Sequence, residues 1–278
     1  MSISNAIILG LIQGVAEFLP ISSSGHLALA QNMFGLSDMG NNMFFDVLLH
    51  LGTLIAICYV YWEELAQMVK ELRVGLHGGS YTIVDGKKRP LLSARLFVLI
   101  CISILPLFLI LPINDYIEEL ANKSLFVGIA IVLTGFILFV ADKMEQGTKT
   151  ERNSKVKDAL IIGLCQCIAV LPGLSRSGVT ITAGIATGHR REYAVKFSLL
   201  MSIPAVLGAT LLDFIKAVKA GIDIKQVPAY IIGMVVAMVS GVFAIRLIKR
   251  IAKRGSFGGF AYYCWVIGAL AIILTFIF

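Results

Sequence analysis

Charge is what this sequence has least of. Asp, Glu, Lys and Arg make up 15% of its 278 residues, against ~25% in soluble domains. That scarcity excludes a soluble enzyme, a disordered chain and a nucleic-acid module, so no nucleic-acid partner is expected. Cysteine is scarce too: Cys58, Cys101, Cys165, Cys167 and Cys264 are odd in number and embedded in apolar runs. They read as small buried hydrophobes rather than a disulfide or metal framework. A basic start is missing as well. Ile3 to Pro20 is apolar, holds no Lys or Arg and carries Glu17, so no cleavable signal peptide is expected.

What remains is apolar. Hydrophobic residues reach 58% and mean hydropathy is +0.86, which predicts an all-α integral membrane protein with one membrane domain, 1–278. A span needs ~20 apolar residues. Six segments meet this: Met43–Trp62, Leu96–Ile113, Leu125–Ala141, Tyr193–Leu212, Ala229–Ile245 and Phe260–Phe278. Two more are broken. Ser4–Leu19 runs into Pro20-Ile-Ser-Ser-Ser-Gly before His26–Phe34, and Asp158–Leu171 runs into Pro172-Gly-Leu-Ser-Arg-Ser-Gly before Val179–Thr187. Neither half of either unit can cross. A helix, a Gly/Ser break and a returning half-helix predict a re-entrant hairpin, tolerated where it is buried in protein or lines a wet cavity.

Formal charge is +7, and its placement orients the chain. Lys and Arg crowd the segments 63–95, 142–157 and 246–254, whereas 114–124 holds Asp115, Glu118 and Glu119 against Lys123. With six spans and two hairpins the three basic loops share a side, which the positive-inside rule makes cytoplasmic. Both termini then face outward. The segment 213–228 dissents, because it falls outside yet carries Lys216, Lys219 and Lys225.

The two broken segments repeat each other. Gly10-Leu-Ile-Gln13-Gly-Val-Ala16 matches Gly163-Leu-Cys-Gln166-Cys-Ile-Ala169, and Ser22-Ser-Ser-Gly25 matches Ser175-Arg-Ser-Gly178, both at an offset of 153 residues. Three crossings separate the copies, so the second enters from the opposite face. The expectation is an inverted-topology repeat, 1–141 (hairpin 4–34 plus three spans) and 158–278 (hairpin 158–187 plus three spans), meeting near the midplane. The spans themselves show no matching register.

Polar groups inside a bilayer are expensive and mostly functional. Gln13 and Glu17 share one helix face toward the first break, and His26 opens the returning piece. In the second copy Gln166 stands where Gln13 does, Val170 replaces Glu17, Val179 replaces His26 and Arg176 replaces Ser23. Acid/base groups thus sit in one copy and the cation in the other. Ser22, Ser23, Ser24, Ser175 and Ser177 begin half-helices whose free N–H groups favour anions. Gly25, Gly173 and Gly178 permit close backbone approach, and Arg176 offers a planar fork of donors to phosphate oxygens. The pattern predicts a phosphate or diphosphate site. Plainer readings stand beside it: any single Ser is an ordinary N-cap, Arg176 a structural counter-ion of Glu17, and His50 a helix–helix hydrogen bond with Asp46 one turn earlier as its partner. Asp213 reads as interfacial.

At these residues the sequence resembles the bacitracin-resistance family of undecaprenyl-pyrophosphate phosphatases. The resemblance is carried by Gln13-Gly-Val-Ala-Glu17-Phe-Leu-Pro-Ile-Ser-Ser-Ser-Gly-His26, by Pro172-Gly-Leu-Ser-Arg176-Ser-Gly-Val-Thr180, and by Phe197-Ser-Leu-Leu-Met-Ser-Ile-Pro204, and it covers nearly the whole chain. Gln13 supplies an amide where other members have a carboxylate, which leaves Glu17 as the main acid. The resemblance implies hydrolysis of a C55 polyprenyl diphosphate to the monophosphate carrier and inorganic phosphate, serving cell-wall synthesis and bacitracin resistance. It further implies a divalent cation, Mg2+ or Ca2+, with Glu17 as a ligand, a bacterial plasma-membrane location with the site open to the outer face, and it admits a homodimer. On this reading Ser23 is the nucleophile, with Ser22, His26 or a water as alternatives. Glu17 and His26 form the acid/base pair, and Arg176 clamps the diphosphate. Ser22, Ser24, Gly25, Ser175, Ser177, Gly178 and Thr180 cradle the phosphates, with Gln13, Gln166 and Asp46 as supporting polar groups. A polyprenyl-phosphate flippase using the same anion site is the alternative.

Overall fold

A computed structural model describes residues 1–34, 39–79, 81–84, 87–121, 123–221 and 223–277. Almost all of it is helix. The first broken segment forms α1 (Ile3–Phe18) and α2 (Ser23–Met33), and the second forms α8 (Val156–Ile168) and α9 (Arg176–Ala186). Between them run α3 (Met39–Val60), α4 (Trp62–Leu76), α5 (Leu92–Ile104), α6 (Asn114–Leu120) and α7 (Ser124–Lys143); after them come α10 (Arg191–Ala220), α11 (Val227–Arg254) and α12 (Gly258–Ile277). Six segments are long and apolar enough to cross a membrane: Met43–Val60, Leu92–Ile113, Ser124–Lys143, Arg191–Lys219, Ile224–Arg254 and Gly258–Phe276. They coincide with the six expected from hydropathy. Two elements were not expected inside basic loop 63–95: the polar helix α4, and an antiparallel pair of β1 (Tyr81–Val84) with β2 (Lys87–Pro90). Neither has an apolar run that would have signalled it.

Contacts at the helix ends show which termini share a side. The Met1 ammonium lies 2.9 Å from Gln226, just before α11, and Asn32 near the end of α2 donates to Ser124 at the start of α7 (3.4 Å). Around the far ends of α7 and α11, the Phe257 N–H donates to Asp142 (2.6 Å) and Arg191 to the Asp142 and Met144 carbonyls. Nearby, Arg95 donates to the Arg152 and Ser154 carbonyls, and the Lys149 N–H bonds to Gly188. In the bundle, α1 and α2 therefore start and finish at one end, α8 and α9 at the other.

Small residues set the crossings. A Cβ on Gly10 would lie 2.5 Å from the Gly233 carbonyl, and one on Gly14 2.0 Å from Ser240 Oγ and 2.4 Å from the Ala237 carbonyl. Gly163, the counterpart of Gly10, meets α5 in the same manner, 2.2 Å from the Ser103 carbonyl. On α7 and α12, Gly128 and Gly268 face each other's carbonyls at 3.2 and 2.8 Å. Lipid tails are as apolar as leucine, so such close backbone approach supplies the packing energy that a hydrophobic effect cannot. Gly14→Val should therefore cost about 1–3 kcal/mol, read as a lower unfolding midpoint in detergent; an unchanged midpoint would contradict the α1–α11 contact.

His189 ties the segment before α10 to that before α8. It is 2% exposed, with Nε2 2.8 Å from Ser154 Oγ and Nδ1 3.1 Å from the Gly184 carbonyl; Asp158 lies 3.9 Å away, itself paired with Lys149. Burial holds its pKa below the ordinary 6.5. The unfolded chain then takes up a proton that the folded one refuses, so stability is full above that value and falls as pH drops beneath it. Unfolding midpoints measured from pH 8 to pH 5 should decline more in wild type than in His189→Gln.

Candidate active site

Both breaks end in a serine N-cap. Ser22 Oγ accepts from the Gly25 N–H (3.2 Å) and Ser175 Oγ from the Gly178 N–H (3.1 Å), so the repeated Ser-x-x-Gly spacing is a repeated cap. The two turns differ in backbone. Ser22 has φ +75°, whereas the corresponding Ser175 is extended. A non-glycine residue there is strained, and such strain collects at functional sites. In the second turn Gly173 takes the left-handed position (φ +92°), where a Cβ would also strike the Val127 carbonyl at 2.6 Å.

The two turns interlock. The Gly173 N–H donates to Ser24 Oγ (3.4 Å), and Ser177 Oγ donates to the Leu19 carbonyl (3.2 Å). Thr134 of α7 accepts from the Ser175 N–H (3.0 Å), and Ser198 of α10 lies 2.6 Å from Thr180 Oγ1. Glu17 sits where they meet, 7% exposed. Arg176 Nη2 donates to its Oε1 (2.6 Å); Ser23 Oγ (2.7 Å) and Gln13 Nε2 (3.0 Å) donate to Oε2. Both oxygens accept and neither donates, the bonding of an ionised carboxylate. Gln13 Nε2 also reaches His50 Nδ1 (3.0 Å), which stands 3.9 Å from Glu17.

The expected residues thus separate into groups. Glu17, Ser23, Arg176 and Gln13 form one cluster. Ser22, Ser24, Gly25, Ser175, Ser177 and Gly178 build the two helix starts around it, and Thr180 braces α9 through the Arg176 carbonyl (2.8 Å). His26 faces elsewhere: Nδ1 lies 2.8 Å from the Ser22 carbonyl, and Nε2 2.9 Å from the Tyr263 hydroxyl, with the rings stacked at 5.5 Å. With Nδ1–H donating to a carbonyl, Nε2 accepts from Tyr263. Two supporting assignments need correction. Asp46 takes its bond from Gln31 (2.9 Å) instead of pairing with His50, because the α2 return brings an amide against it. Gln166 is 1% exposed with neither amide atom partnered among the described residues; lacking a counterpart to Glu17 on its helix, it does not join the cluster. Tyr263 and Thr134 escaped the sequence reading, since each lies on a span distant in sequence from the turn it bonds to and its only signal was a hydroxyl within an apolar run; Ser198 lies in the run Phe197–Pro204, which carried the resemblance without a role for this residue.

A profile of the family described as bacitracin resistance protein BacA matches residues 6–270. The chain belongs to that family. Relatives run the full length: a protein named undecaprenyl-diphosphatase from Carboxydothermus hydrogenoformans is 38% identical over 99% of this chain and 98% of its own. One of the same name from Methanosphaera stadtmanae is 38% identical over 99% of each, and undecaprenyl-diphosphatase 3 of Bacillus cereus is 35% identical over 98% and 96%. Both serine-capped turns lie within the matched residues.

Proposed function

We infer that this chain is an undecaprenyl-diphosphate phosphatase. It releases inorganic phosphate from the diphosphate lipid and returns the monophosphate carrier to cell-wall synthesis, which underlies bacitracin resistance. The observation that carries the reading is the Ser23 hydroxyl donating to Glu17 Oε2 at 2.7 Å, with Arg176 on the other oxygen at 2.6 Å. An unaided serine is a weak nucleophile and needs a base in contact, and Glu17 is in contact. In the reaction, Ser23 Oγ attacks the terminal phosphorus as its proton passes to Glu17. The bond from that phosphorus to the bridging oxygen breaks, and the lipid monophosphate departs with the proton that Glu17 hands on. A water, deprotonated by the carboxylate so regenerated, then attacks the serine phosphate; the phosphorus–Oγ bond breaks, inorganic phosphate leaves, and Glu17 returns the proton to Ser23 Oγ. On this reading Arg176 and the N–H groups at the starts of α2 and α9 bind phosphate oxygens as charge shifts among them. His26, bonded to the Ser22 carbonyl and to Tyr263, holds the start of α2 in place and has no proton directed at the departing oxygen.

A divalent cation suits this site in one form. Gln13 Oε1 is fully buried with no hydrogen-bond partner among the described residues, an orphaned acceptor beside Glu17. Among the described residues no group of three His, Cys, Asp or Glu is placed to hold a metal, so the protein would offer Glu17 and Gln13, and the substrate phosphates the rest, as magnesium commonly accepts. Such an ion would neutralise phosphate charge.

The opposed hairpins support reading the chain as an inverted repeat, 1–141 and 158–278, with each hairpin re-entrant. On this reading α1 and α2 enter a bacterial plasma membrane from the outer face and the basic loops lie inside. The same architecture favours lipid translocation as a second activity. Detergent-solubilised protein separates the two: hydrolysis releases phosphate without a membrane, whereas a carrier alone releases none. Rapid quenching and mass mapping should then find phosphate on Ser23. Phosphate on His26, or steady turnover by Ser23→Ala, would overturn that assignment.

A further inference from the structure

A second polar cavity lies at the basic end of the bundle, lined by residues other than those around Glu17. A cavity of about 410 Å³ lies between the end of α3, the start of α4, the segment 150–152, the start of α10 and the end of α11. Arg152, Arg190, Lys249 and Lys253 line it, and only Glu64 and Glu192 oppose them once the Lys196–Glu151 pair (2.6 Å) is set aside. Two positive charges are therefore in excess. The wall is also specific. Tyr61 lines the cavity at 1% exposure, and its hydroxyl has no hydrogen-bond partner among the described residues. The Lys249 ammonium is held 4.6 Å above its ring. A buried hydroxyl without an acceptor is unfavourable, and this one belongs to a residue that lines the cavity.

We propose that this cavity binds a terminal, doubly charged phosphate group, distinct from the phosphates processed at Glu17. Such a group carries about −1.5 to −2 charge, matching the excess, and its oxygens suit guanidinium forks and ammonium donors. Two sources share this chemistry, an anionic lipid headgroup and free phosphate. Trp62 (68% exposed) and Tyr59 (66%) line an adjoining pocket that shares Lys249, the aromatic pattern of a membrane interface. Basic pockets between helices at that level take anionic headgroups.

The test compares wild type, Arg190→Gln/Lys249→Gln and Arg176→Ala in detergent, stripped of lipid. Native mass spectrometry with phosphatidic acid should show an adduct on wild type and Arg176→Ala that falls at least fivefold in the double variant, while phosphatidylcholine adducts stay equal. Inorganic phosphate should raise the unfolding midpoint; a rise lost in the double variant and kept in Arg176→Ala identifies a free-ion site, and a rise lost only in Arg176→Ala belongs to the active site. Phosphate release from a short-chain polyprenyl diphosphate should be unchanged in the double variant. If that variant fails to fold, exposed Lys253→Gln should still lower the adduct about twofold or more. Equal adducts and equal phosphate shifts in wild type and the folded variant would overturn the proposal.

Discussion

Glu17→Gln is expected to reduce phosphate release by roughly 10²–10⁴-fold, the range of a lost general base. The substitution keeps shape and hydrogen-bonding capacity but removes the charge that three donors converge upon. Ser23 then has an amide in place of a base, and its hydroxyl cannot pass on a proton. Arg176, about 20% exposed, loses its only ion-pair partner among the described residues. Breaking a fully buried pair costs ~3–5 kcal/mol; partial exposure of Arg176 makes the figure here smaller. The variant should therefore fold, with a lowered unfolding midpoint, and be nearly inactive. Measuring phosphate release beside the midpoint separates a lost base from a lost fold. More than a tenth of wild-type turnover would remove Glu17 from the chemistry and leave it a structural counter-ion.

Arg176→Lys tests the other side of the same contact. Lysine retains the charge and can still pair with Glu17, so stability should change little. What it lacks is the planar fork that can hold Glu17 with one nitrogen and phosphate oxygens with the others. If Arg176 acts mainly as charge shifts onto the departing oxygen, the barrier rises by about 2–4 kcal/mol, or ~30- to ~900-fold in kcat at 25 °C. A rise in KM with kcat intact would instead describe equal binding of ground and transition states. Near-normal turnover would make the residue a counter-ion alone. Together the two variants distinguish a working pair from a merely stabilising one: Glu17→Gln disturbs both charge and proton transfer, Arg176→Lys only the geometry of donation.

Much of the cluster was legible because the repeat aligned without a gap. The offset of 153 residues matched Ser22 with Ser175 and Gly25 with Gly178, and both pairs proved to be caps of the same kind. The substitution of Arg176 for Ser23 within that match pointed to a charge needed by the other copy, and Glu17 is the carboxylate it meets. His26 was harder. Three residues along a helix from Ser23, it shares roughly that face, but bonds to the Ser22 carbonyl and Tyr263 turn the ring aside. Spacing fixes a direction from the helix axis, while the rotamer is chosen by neighbours from other segments. Gln166 failed for a related reason: a matched position carries over the backbone, not the partners.

By itself, then, the sequence determined the membrane class, the six spans, the two broken helices and the family, because apolar run length, Gly/Ser breaks and contiguous motifs are local properties. Only the tertiary structure decided which polar groups meet. Glu17 and Arg176 lie 159 residues apart, and His26 and Tyr263 237. Those pairings follow from glycines that let α1 close on α11 and α8 on α5, bringing two serine-capped turns together. No local pattern encodes that meeting, since it depends on how whole helices cross.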